Sequence, residues 1–336
     1  MTSEVISVET GARLHVGFRN LSQERDPLFG GIGIAIDEPR VEVIARAARD
    51  LSCTHRRAHT IAGRVISHLG VDGADITVRR TLPTHQGYGS GTQLALAVAV
   101  AIAHAHGIEP EVRSLAHLLD RGTRSGVGVA CFESGGFIVD AGRPTDAMLA
   151  RGSRHHIPPV DRHVPLPQDW RFLLVHPAIR PGRSGDREAQ SIERTIETAD
   201  PQIADRIEEL LETNVLPGIQ REDIERFGDG ITGIDRLTGE WFAAEQGDAY
   251  RPPCDAIVAS LAETDSIAGW GQSSWGPLCY GVTTQTSADE AIAAGEVALD
   301  RAGLPGTVEL VRPRNRGADV QLADPTTPTQ PGRNHQ

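Results

Sequence analysis

The chain has 336 residues, of which 39% are hydrophobic and 23% are charged, and its formal net charge is −12. This composition is ordinary for a soluble globular protein and too apolar for a disordered one, and the excess of acid excludes a general nucleic-acid binder. No apolar run approaches the ~18–20 residues of a membrane span. The first ten residues carry acids and no basic-then-apolar signal region, so we expect a cytoplasmic protein.

A second exclusion comes from the basic residues, because all 33 of them are arginine. Without lysine the chain cannot use a Schiff base, a P-loop lysine or the strand lysine of protein kinases. The cysteines are too far apart in sequence for a paired zinc motif or a disulfide framework. They are Cys53, Cys131, Cys254 and Cys279.

The first half of the chain alternates strands and helices. We predict strands over residues 4–9, 12–18 and 40–46, with a glycine-rich stretch at 29–33. A long buried helix is predicted to begin near Thr92, because apolar residues recur behind it at helical spacing. These residues are Leu94, Ala97, Val98, Ala101, Ile102 and Ala105.

A further helix at about 111–121 leads to another glycine cluster, and residues 135–140 are typical of a turn followed by a buried strand. Beyond this strand, the second half is predicted to be richer in helix. Residues 142–168, rich in Pro, Arg, His and Gly, indicate a linker or lid and the best domain boundary. Strands are predicted at 170–176 and 307–312. The helices between and around them are predicted at 186–199, 201–213, about 219–246, 254–262 and 287–302.

The sharpest motif is the loop in front of the long helix. It contains Gly87, Gly89, Ser90 and Gly91. Small residues let the backbone approach an anion closely, and a helix N-terminus supplies free N–H groups and a partial positive charge. A phosphate or pyrophosphate is the natural ligand of such a loop. The alternative is a close-packed turn capped by Ser90 or Thr92.

This loop resembles the second motif of the GHMP superfamily, which includes galactokinase and the homoserine and mevalonate kinases. That motif has a proline, three residues, and then Gly-Leu-Gly-Ser-Ser at the start of a helix. Pro83, Gly87, Gly89 and Ser90 match it. Gly91 replaces the second serine, which in the kinases helps to hold the phosphates and magnesium, and this departure argues against phosphoryl transfer from ATP.

The whole chain resembles a non-kinase branch of that superfamily, the β-ribofuranosylaminobenzene 5′-phosphate synthases. Four separated segments agree with the family in order, over about residues 10–312. Asn20 stands where the family has an aspartate, so no role of that aspartate carries over. The four segments are ARLHVGFRNL (12–21), HQGYGSGTQLALAVA (85–99), RGTRSGVGVACFESGGFIVDAG (121–142) and GQSSWGPLCYG (271–281).

The resemblance implies an α+β fold of the GHMP type with two domains. We expect an N-terminal α+β domain over residues 1–150, with a left-handed βαβ-type anion loop. A C-terminal ferredoxin-like domain is expected over 168–313, with the active site in the cleft between the two. Residues 314–336 are polar and rich in proline, and we expect a disordered tail there. A homodimer is implied by the resemblance alone.

The reaction implied by the resemblance is a decarboxylating ribosyl transfer in the synthesis of methanopterin-type cofactors. The family joins phosphoribosyl pyrophosphate to 4-aminobenzoate or 4-hydroxybenzoate, with loss of carbon dioxide and pyrophosphate, and magnesium is the expected cofactor. No nucleic acid or membrane partner is expected. Two other functions stay open, an ATP-dependent small-molecule kinase and a non-catalytic protein that binds a phosphorylated metabolite.

Candidate residues follow from the anionic charge of these substrates, which calls for N–H groups and guanidiniums. The candidates for catalysis are His85, Glu133, Asp140 and His15. The two acids, Glu133 and Asp140, are also the candidate magnesium ligands. The candidates for substrate or phosphate binding are Arg13, Gln86, Gly87, Gly89, Ser90, Gly91, Thr92, Gln93, Arg121, Arg124, Ser125, Gly126, Arg183, Ser273 and Ser274.

Several of these candidates have a plainer interpretation. His15 can be a partly buried histidine of a strand, and Asp140 can be a turn former at a strand end. Arg121 and Arg124 can pair with acids at the end of a helix. Sequence alone does not decide between these alternatives and the functional ones.

Overall fold

The computed structural model describes residues 4–145, 157–181 and 185–323, and within them two β-sheets are covered by helices. The first sheet has the order β11-β1-β2-β4-β3, and β5 pairs with β2 and with β6. Its strands are β1 (Val5–Asn20), β2 (Phe29–Ala48), β3 (Ser52–Cys53), β4 (Gly73–Arg80), β5 (Phe137–Asp140), β6 (Val160–Val164) and β11 (Asp319–Leu322).

The longest pairing in this sheet is the antiparallel hairpin of β1 and β2. The two strands predicted at 4–9 and 12–18 are one continuous strand, which is interrupted by a shift in register between Thr10 and Ala12. Gly11 lies at that shift, where a Cβ atom would lie 2.0 Å from the carbonyl oxygen of Ile36. The close approach explains the glycine and the bulge, and the bulge explains why the alternating pattern breaks there.

Four helices accompany the first sheet in the described residues. They are α1 (Arg56–Leu69), α2 (Ser90–Ala105), α3 (Val112–Leu118) and α4 (Val127–Glu133). The buried helix predicted from apolar spacing is α2, which is covered on almost every side and packs on β1 and β2. Because it is enclosed in this way, the glycine loop at its N-terminus is held by the core of the protein.

The second sheet is antiparallel, with the order β10-β7-β9-β8. Numbered by their own sequence order, its strands run 4-1-3-2, with helices after the first and third strands. This is the ferredoxin-like arrangement that we expected. The strands are β7 (Trp170–Pro177), β8 (Gly269–Gln272), β9 (Cys279–Thr284) and β10 (Gly306–Val311).

The helices of the second half agree with the predicted ones within a few residues. One difference is a π-helical turn, Leu211–Val215, which continues a predicted helix, and another is a break at Glu222 that divides the helix predicted at 219–246. The helices are α5 (Asp186–Thr198), α6 (Pro201–Leu210), α7 (Leu216–Arg221), α8 (Ile224–Gln246), α9 (Cys254–Leu261) and α10 (Ala288–Arg301).

Two segments outside the expected first domain complete the first sheet. Strand β6 lies in the expected linker and pairs with β5, while residues 146–156 of that linker lie outside the described residues. We expected disorder over 314–336, but β11 pairs with β1, and Arg314 is 1% exposed and bonded to Asp37 and Asp319. Buried ion pairs fix this segment despite its polar composition, and only residues 324–336 lie beyond the described part.

The glycine loop lies in the connection between two strands that pair with β2. Strands β4 and β5 are both antiparallel to β2, so they are parallel to each other, and α2, α3 and α4 lie between them. The connection is therefore a crossover of the βαβ kind, and its left-handed sense stays a prediction.

Within the described residues, no helix combines the length and the apolar character needed to cross a membrane.

Candidate active site

A cleft lies where the loop before α2 meets the loop between β8 and β9. The space in it that is open to the centres of water-sized molecules is about 440 Å³. Its lining contains three arginines and one carboxylate among the described residues, so the cleft is cationic. The lining residues are Arg13, Arg57, Thr84, His85, Gly87, Gly89, Ser90, Gly91, Thr92, Arg121, Gly185, Glu188, Ser274, Trp275 and Gly276.

The glycine loop forms one wall of the cleft. Gly87 and Gly89 have φ angles of 103° and 73°, a left-handed conformation that favours glycine. A Cβ atom on Gly89 would lie 2.9 Å from Cγ of Arg13, and one on Gly91 would lie 3.1 Å from Nη1 of Arg121. Guanidiniums thus lie against the loop backbone, next to the free N–H groups at the start of α2. An anion in the cleft meets both kinds of donor.

Two arginines form a second wall without acidic partners. Arg57 donates from Nη1 to Oγ1 of Thr84 at 3.0 Å, and neither it nor Arg121 forms an ion pair with a described carboxylate. Nε of Arg121 is buried and has no hydrogen-bond partner in the described part of the chain. Burial lowers the pKa of both guanidiniums, and the charge of Arg57 lowers that of Arg121 further. Holding two such cations together costs free energy, so this pair is typical of a site that awaits an anion.

His85 lies beside this arginine pair in the cleft. Its pKa is lowered, first by partial burial and then by the charges of Arg57 and Arg121. The imidazole is therefore neutral near pH 7 and can donate one hydrogen bond and accept another.

The loop between β8 and β9 closes on the glycine loop. Ser273 is fully buried, donates from Oγ to the carbonyl oxygen of Gly87 at 2.7 Å, and accepts from the N–H of His15 at 3.0 Å. Ser274 lines the cleft, and its N–H donates to the carbonyl oxygen of His15 at 3.2 Å. At Gly276 a Cβ atom would lie 2.3 Å from the backbone nitrogen of Gly87. Ser273 is therefore a positioning residue that joins two walls of the site.

Glu188 on α5 supplies the carboxylate of the cleft. Burial raises its pKa, while the nearby charges of Arg124 and Arg13 lower it. Arg13 also donates from Nη1 to the carbonyl oxygen of Gly87 at 2.8 Å. Arg124 thus faces the cleft's acid without being part of the lining itself. Arg183, another expected binding residue, lies outside the described residues.

Asp140 lies outside the cleft lining and is fully buried. Its Oδ2 accepts from the N–H of Gly126 at 2.7 Å and from Oγ of Ser125 at 3.2 Å, and its Oδ1 accepts from the N–H of Gly142 at 3.0 Å. Burial raises its pKa to about 6 against the lowering effect of these donors. The geometry gives Asp140 a positioning role, because it holds the second glycine cluster, Ser125 and Gly126 included; its expected catalytic or metal-binding role stays a prediction.

The pH dependence of stability tests this assignment. Because the pKa of Asp140 is raised in the folded protein, the native state binds its proton more tightly than the unfolded chain does. Its contribution to the free energy of unfolding therefore falls as the pH rises from about 4 to about 6. We expect the stability of the wild type relative to Asp140→Asn to fall over that range in urea unfolding experiments. Asp229→Asn, on the exposed side of α8, is the matched control, and a constant or rising difference for Asp140→Asn would contradict the assignment.

Three other expected site residues lie away from the cleft lining. Glu133 accepts from Nη2 of Arg113 at 2.9 Å and ends α4. Gln93 is buried, accepts from Oγ1 of Thr10 at 2.9 Å and donates to the carbonyl oxygen of Gly128 at 2.8 Å. Gln86 belongs to the loop, but its buried Oε1 has no partner and its side chain does not line the cleft. Glu133 thus forms an ion pair outside the cleft lining, and Gln93 ties α2 to its neighbours.

His15 lies in a small cavity that adjoins the cleft, with Ser274 and Trp275 lining both. It is buried, and burial together with the charge of Arg13 lowers its pKa to about 3. It is therefore neutral at physiological pH. Asp235 on α8 lines the same cavity, and burial raises the pKa of its carboxyl well above the usual range.

Sequence reasoning missed several residues of the site. Arg57, Thr84, Glu188, Trp275 and Asp235 were not among the candidates, although all five line the cleft or the adjoining cavity. The arginine pair 56–57 at the start of a helix was a usable signal for Arg57. For Glu188 and Asp235 no local pattern exists, because each is one of many acids on an amphipathic helix.

The expected magnesium ion needs oxygen ligands, which the cleft lining has to supply. The described residues contain no group of three or more side chains able to hold a metal ion. Glu188 lines the cleft together with the hydroxyls of Ser90 and Thr92. Proteins that bind Mg²⁺ with a phosphate substrate commonly supply one or two carboxylates and leave the other positions to phosphate and water. The lining fits an ion of that kind, whereas Glu133 and Asp140 lie outside it.

The chain is similar in sequence to known proteins. The family described as GHMP kinases N terminal domain matches residues 56–136. The beta-ribofuranosylphenol 5′-phosphate synthase of Methanothermobacter thermautotrophicus is 33% identical and aligns over 95% of this chain and 99% of that protein. The protein of the same name from Archaeoglobus fulgidus is 25% identical over 95% of this chain and 100% of its own length.

Among solved structures, galactokinase of Lactococcus lactis complexed with galactose superposes with a TM-score of 0.69. The match covers 95% of each chain at 10% sequence identity, so it bears on the fold alone. The GHMP-type α+β fold that we expected is confirmed.

Proposed function

The chain belongs to the β-ribofuranosylphenol 5′-phosphate synthase family, and from that premise we propose that it transfers ribose 5-phosphate from phosphoribosyl pyrophosphate to 4-hydroxybenzoate. Carbon dioxide and pyrophosphate leave, and the product is a ribofuranosylphenol 5′-phosphate. The observation that carries this proposal is the cleft with three arginines around a glycine loop. Its cationic lining suits a donor that bears a phosphate and a pyrophosphate.

The donor's two anionic groups are assigned to the two walls. Pyrophosphate binds to the backbone N–H groups at the start of α2, with Arg13 beside them. The 5′-phosphate binds to Arg57 and Arg121, the pair without acidic partners, and neutral His85 donates a further hydrogen bond. Nη1 of Arg121 and Nη2 of Arg57 lie 3.1 Å and 3.7 Å from where a Cβ atom of Gly91 would be, so the two anion sites adjoin each other along the loop and together fix the ribose that joins the two groups.

Magnesium would be held by Glu188 and the hydroxyls of Ser90 and Thr92, together with pyrophosphate oxygens. When bound, the ion neutralises charge on the leaving pyrophosphate. The protein residues do the remaining work of orienting donor and acceptor.

The reaction is a substitution at the anomeric carbon. The bond between that carbon and the pyrophosphate oxygen breaks, and pyrophosphate leaves with the electron pair. The ring carbon that carries the carboxylate forms the new bond to the anomeric carbon. The bond to the carboxylate then breaks, carbon dioxide leaves, and its electron pair restores the aromatic ring. Atoms and charge balance without an oxidant, a reductant or a deprotonated nucleophile.

Calorimetric titration in the presence of Mg²⁺ tests the proposal against its alternatives. We expect phosphoribosyl pyrophosphate to bind and ATP to bind far more weakly, and we expect pyrophosphate release once 4-hydroxybenzoate is added. Binding of ATP and not of phosphoribosyl pyrophosphate would favour an ATP-dependent small-molecule kinase. Binding of the donor without release of products from either 4-hydroxybenzoate or 4-aminobenzoate would indicate a protein that binds a phosphorylated metabolite. The homodimer and the cytoplasmic location stay predictions.

A further inference from the structure

A second, smaller cavity opens beside the cleft, between β1 and α8. Ser274 and Trp275 line both spaces, so the cavity adjoins the proposed donor site. The space open to the centres of water-sized molecules is about 40 Å³, against about 440 Å³ for the cleft. A space of this size excludes a nucleoside. Its position makes it a candidate for the second substrate.

Aromatic rings form one side of this cavity. The ring of Phe18 lies 4.8 Å from that of His15 and 6.5 Å from that of Phe242 between centroids. Phe242 in turn lies 4.6 Å from Trp275, at an interplanar angle of 60°. Edge-to-face packing of this kind is the arrangement that aromatic rings prefer with one another. The wall therefore suits an aromatic ligand.

Polar groups lie among these apolar walls. Oδ2 of Asp235 accepts from the hydroxyl of Tyr280 at 2.7 Å, and its Oδ1 accepts from the N–H of Gln272 at 3.0 Å. Each carboxyl oxygen can make one more hydrogen bond, because each makes one of these bonds and can make two. The ring of His15 makes no hydrogen bond to a side chain of the described part of the protein. The cavity thus combines a flat apolar wall with acceptors that lack further partners.

We infer that this cavity is the acceptor subsite and that it binds a single aromatic ring carrying a hydroxyl group opposite its carboxylate. The inference rests on the proposed function and adds the location and the polarity of the acceptor. The hydroxyl points toward Asp235 and His15, and the carboxylate points toward Ser274 and the cleft. This orientation places the carboxylate-bearing carbon, the one that forms the new bond, nearest to the donor.

The polar groups of the cavity also act on the reaction. As the ring carbon bonds to the anomeric carbon, positive charge spreads to the opposite hydroxyl. A hydrogen bond from that hydroxyl to Asp235 or His15 stabilises this charge, and the proton stays with the phenol oxygen when carbon dioxide leaves. The burial that keeps His15 neutral, with a pKa of about 3, preserves it as an acceptor.

The inference is tested by filling the cavity in the full-length protein. Ala249 lines the cavity and Ala244 is exposed on the same helix–loop segment, so Ala249→Leu and Ala244→Leu form a matched pair. We expect Ala249→Leu to raise the dissociation constant of 4-hydroxybenzoate, measured by calorimetry, about tenfold or more, because overpacked cavities lose roughly that much binding. The dissociation constant of phosphoribosyl pyrophosphate should stay within about twofold. Ala244→Leu should change neither.

Ring analogues give a second measurement on the wild type that does not depend on a variant's folding. Benzoate lacks the para hydroxyl and 4-methoxybenzoate cannot donate a hydrogen bond, so both should bind about tenfold or more weakly than 4-hydroxybenzoate. Equal binding of the three, or loss of donor binding instead of acceptor binding in Ala249→Leu, would overturn the subsite. If 4-hydroxybenzoate binding depends on Ala249 but no pyrophosphate is released, the subsite stands and the proposed function fails.

Discussion

Replacement of both Arg57 and Arg121 by glutamine should raise the dissociation constant of phosphoribosyl pyrophosphate about 100-fold or more. Each charge-assisted hydrogen bond to a phosphate is worth roughly 1.5–3 kcal/mol, and every 1.4 kcal/mol is about tenfold in affinity. The same double variant should keep or increase the free energy of unfolding. The two guanidiniums lack ion pairs with described acids, and burial and mutual repulsion lower the pKa of Arg121. Calorimetry and urea unfolding measure the two effects.

Arg64→Gln is the control for that experiment. Arg64 is also on α1, but it is exposed and pairs with Asp120 at 2.9 Å outside the cleft. Arg64→Gln removes one positive charge from the helix that also carries Arg57, and its effect on donor binding should stay within about twofold. A double variant that loses stability and keeps its affinity for the donor would show that Arg57 and Arg121 are structural.

The second large effect is expected from Gly276→Ala. The added Cβ atom would lie 2.3 Å from the backbone nitrogen of Gly87 and 2.4 Å from the carbonyl carbon of Gln86, and neither backbone atom can turn away. The two loops must separate, which should lower the free energy of unfolding by about 1–3 kcal/mol. Because Ser273 and Gly87 then lose their contact, turnover should fall about 100-fold or more.

Gly63→Ala provides the comparison for this change. Gly63 lies within α1, and a Cβ atom there would meet no atom within 4 Å. Alanine is favoured over glycine inside a helix by about 1 kcal/mol, so this variant should be at least as stable as the wild type and fully active. Unchanged turnover in Gly276→Ala would mean that contact between the two loops does not shape the site.

The fold could be predicted from the sequence where periodicity is strong. Helix α2 carries apolar residues at every helical repeat, and the strands of the ferredoxin-like sheet alternate or are wholly apolar. Strand β1 is predicted as two strands, 4–9 and 12–18, because the bulge at Gly11 breaks the alternation. The ordered segment around Arg314 was missed because its stability comes from ion pairs and not from an apolar pattern. Arg314 pairs with Asp319 and with Asp37, and Asp37 is distant in sequence.

The site could be predicted where glycine geometry carries the signal. The sequence brought together Gly87, Gly89 and Ser90 with Ser274, and all four line one cleft. It could not assign the acids, because burial and pairing are tertiary properties. Asp140 lies under the second glycine cluster, whereas Glu188, on a helix without any motif, faces the cleft.

The central claim is a decarboxylating transfer in the cationic cleft. The ratio of released carbon dioxide to released pyrophosphate tests it most directly. Wild-type protein is mixed with Mg²⁺, phosphoribosyl pyrophosphate and carboxyl-labelled 4-hydroxybenzoate, and released carbon dioxide and pyrophosphate are counted in the same reaction. We predict equal amounts of the two, both absent without the donor. Pyrophosphate released without labelled carbon dioxide, or neither product at saturating substrates, would contradict the proposed reaction.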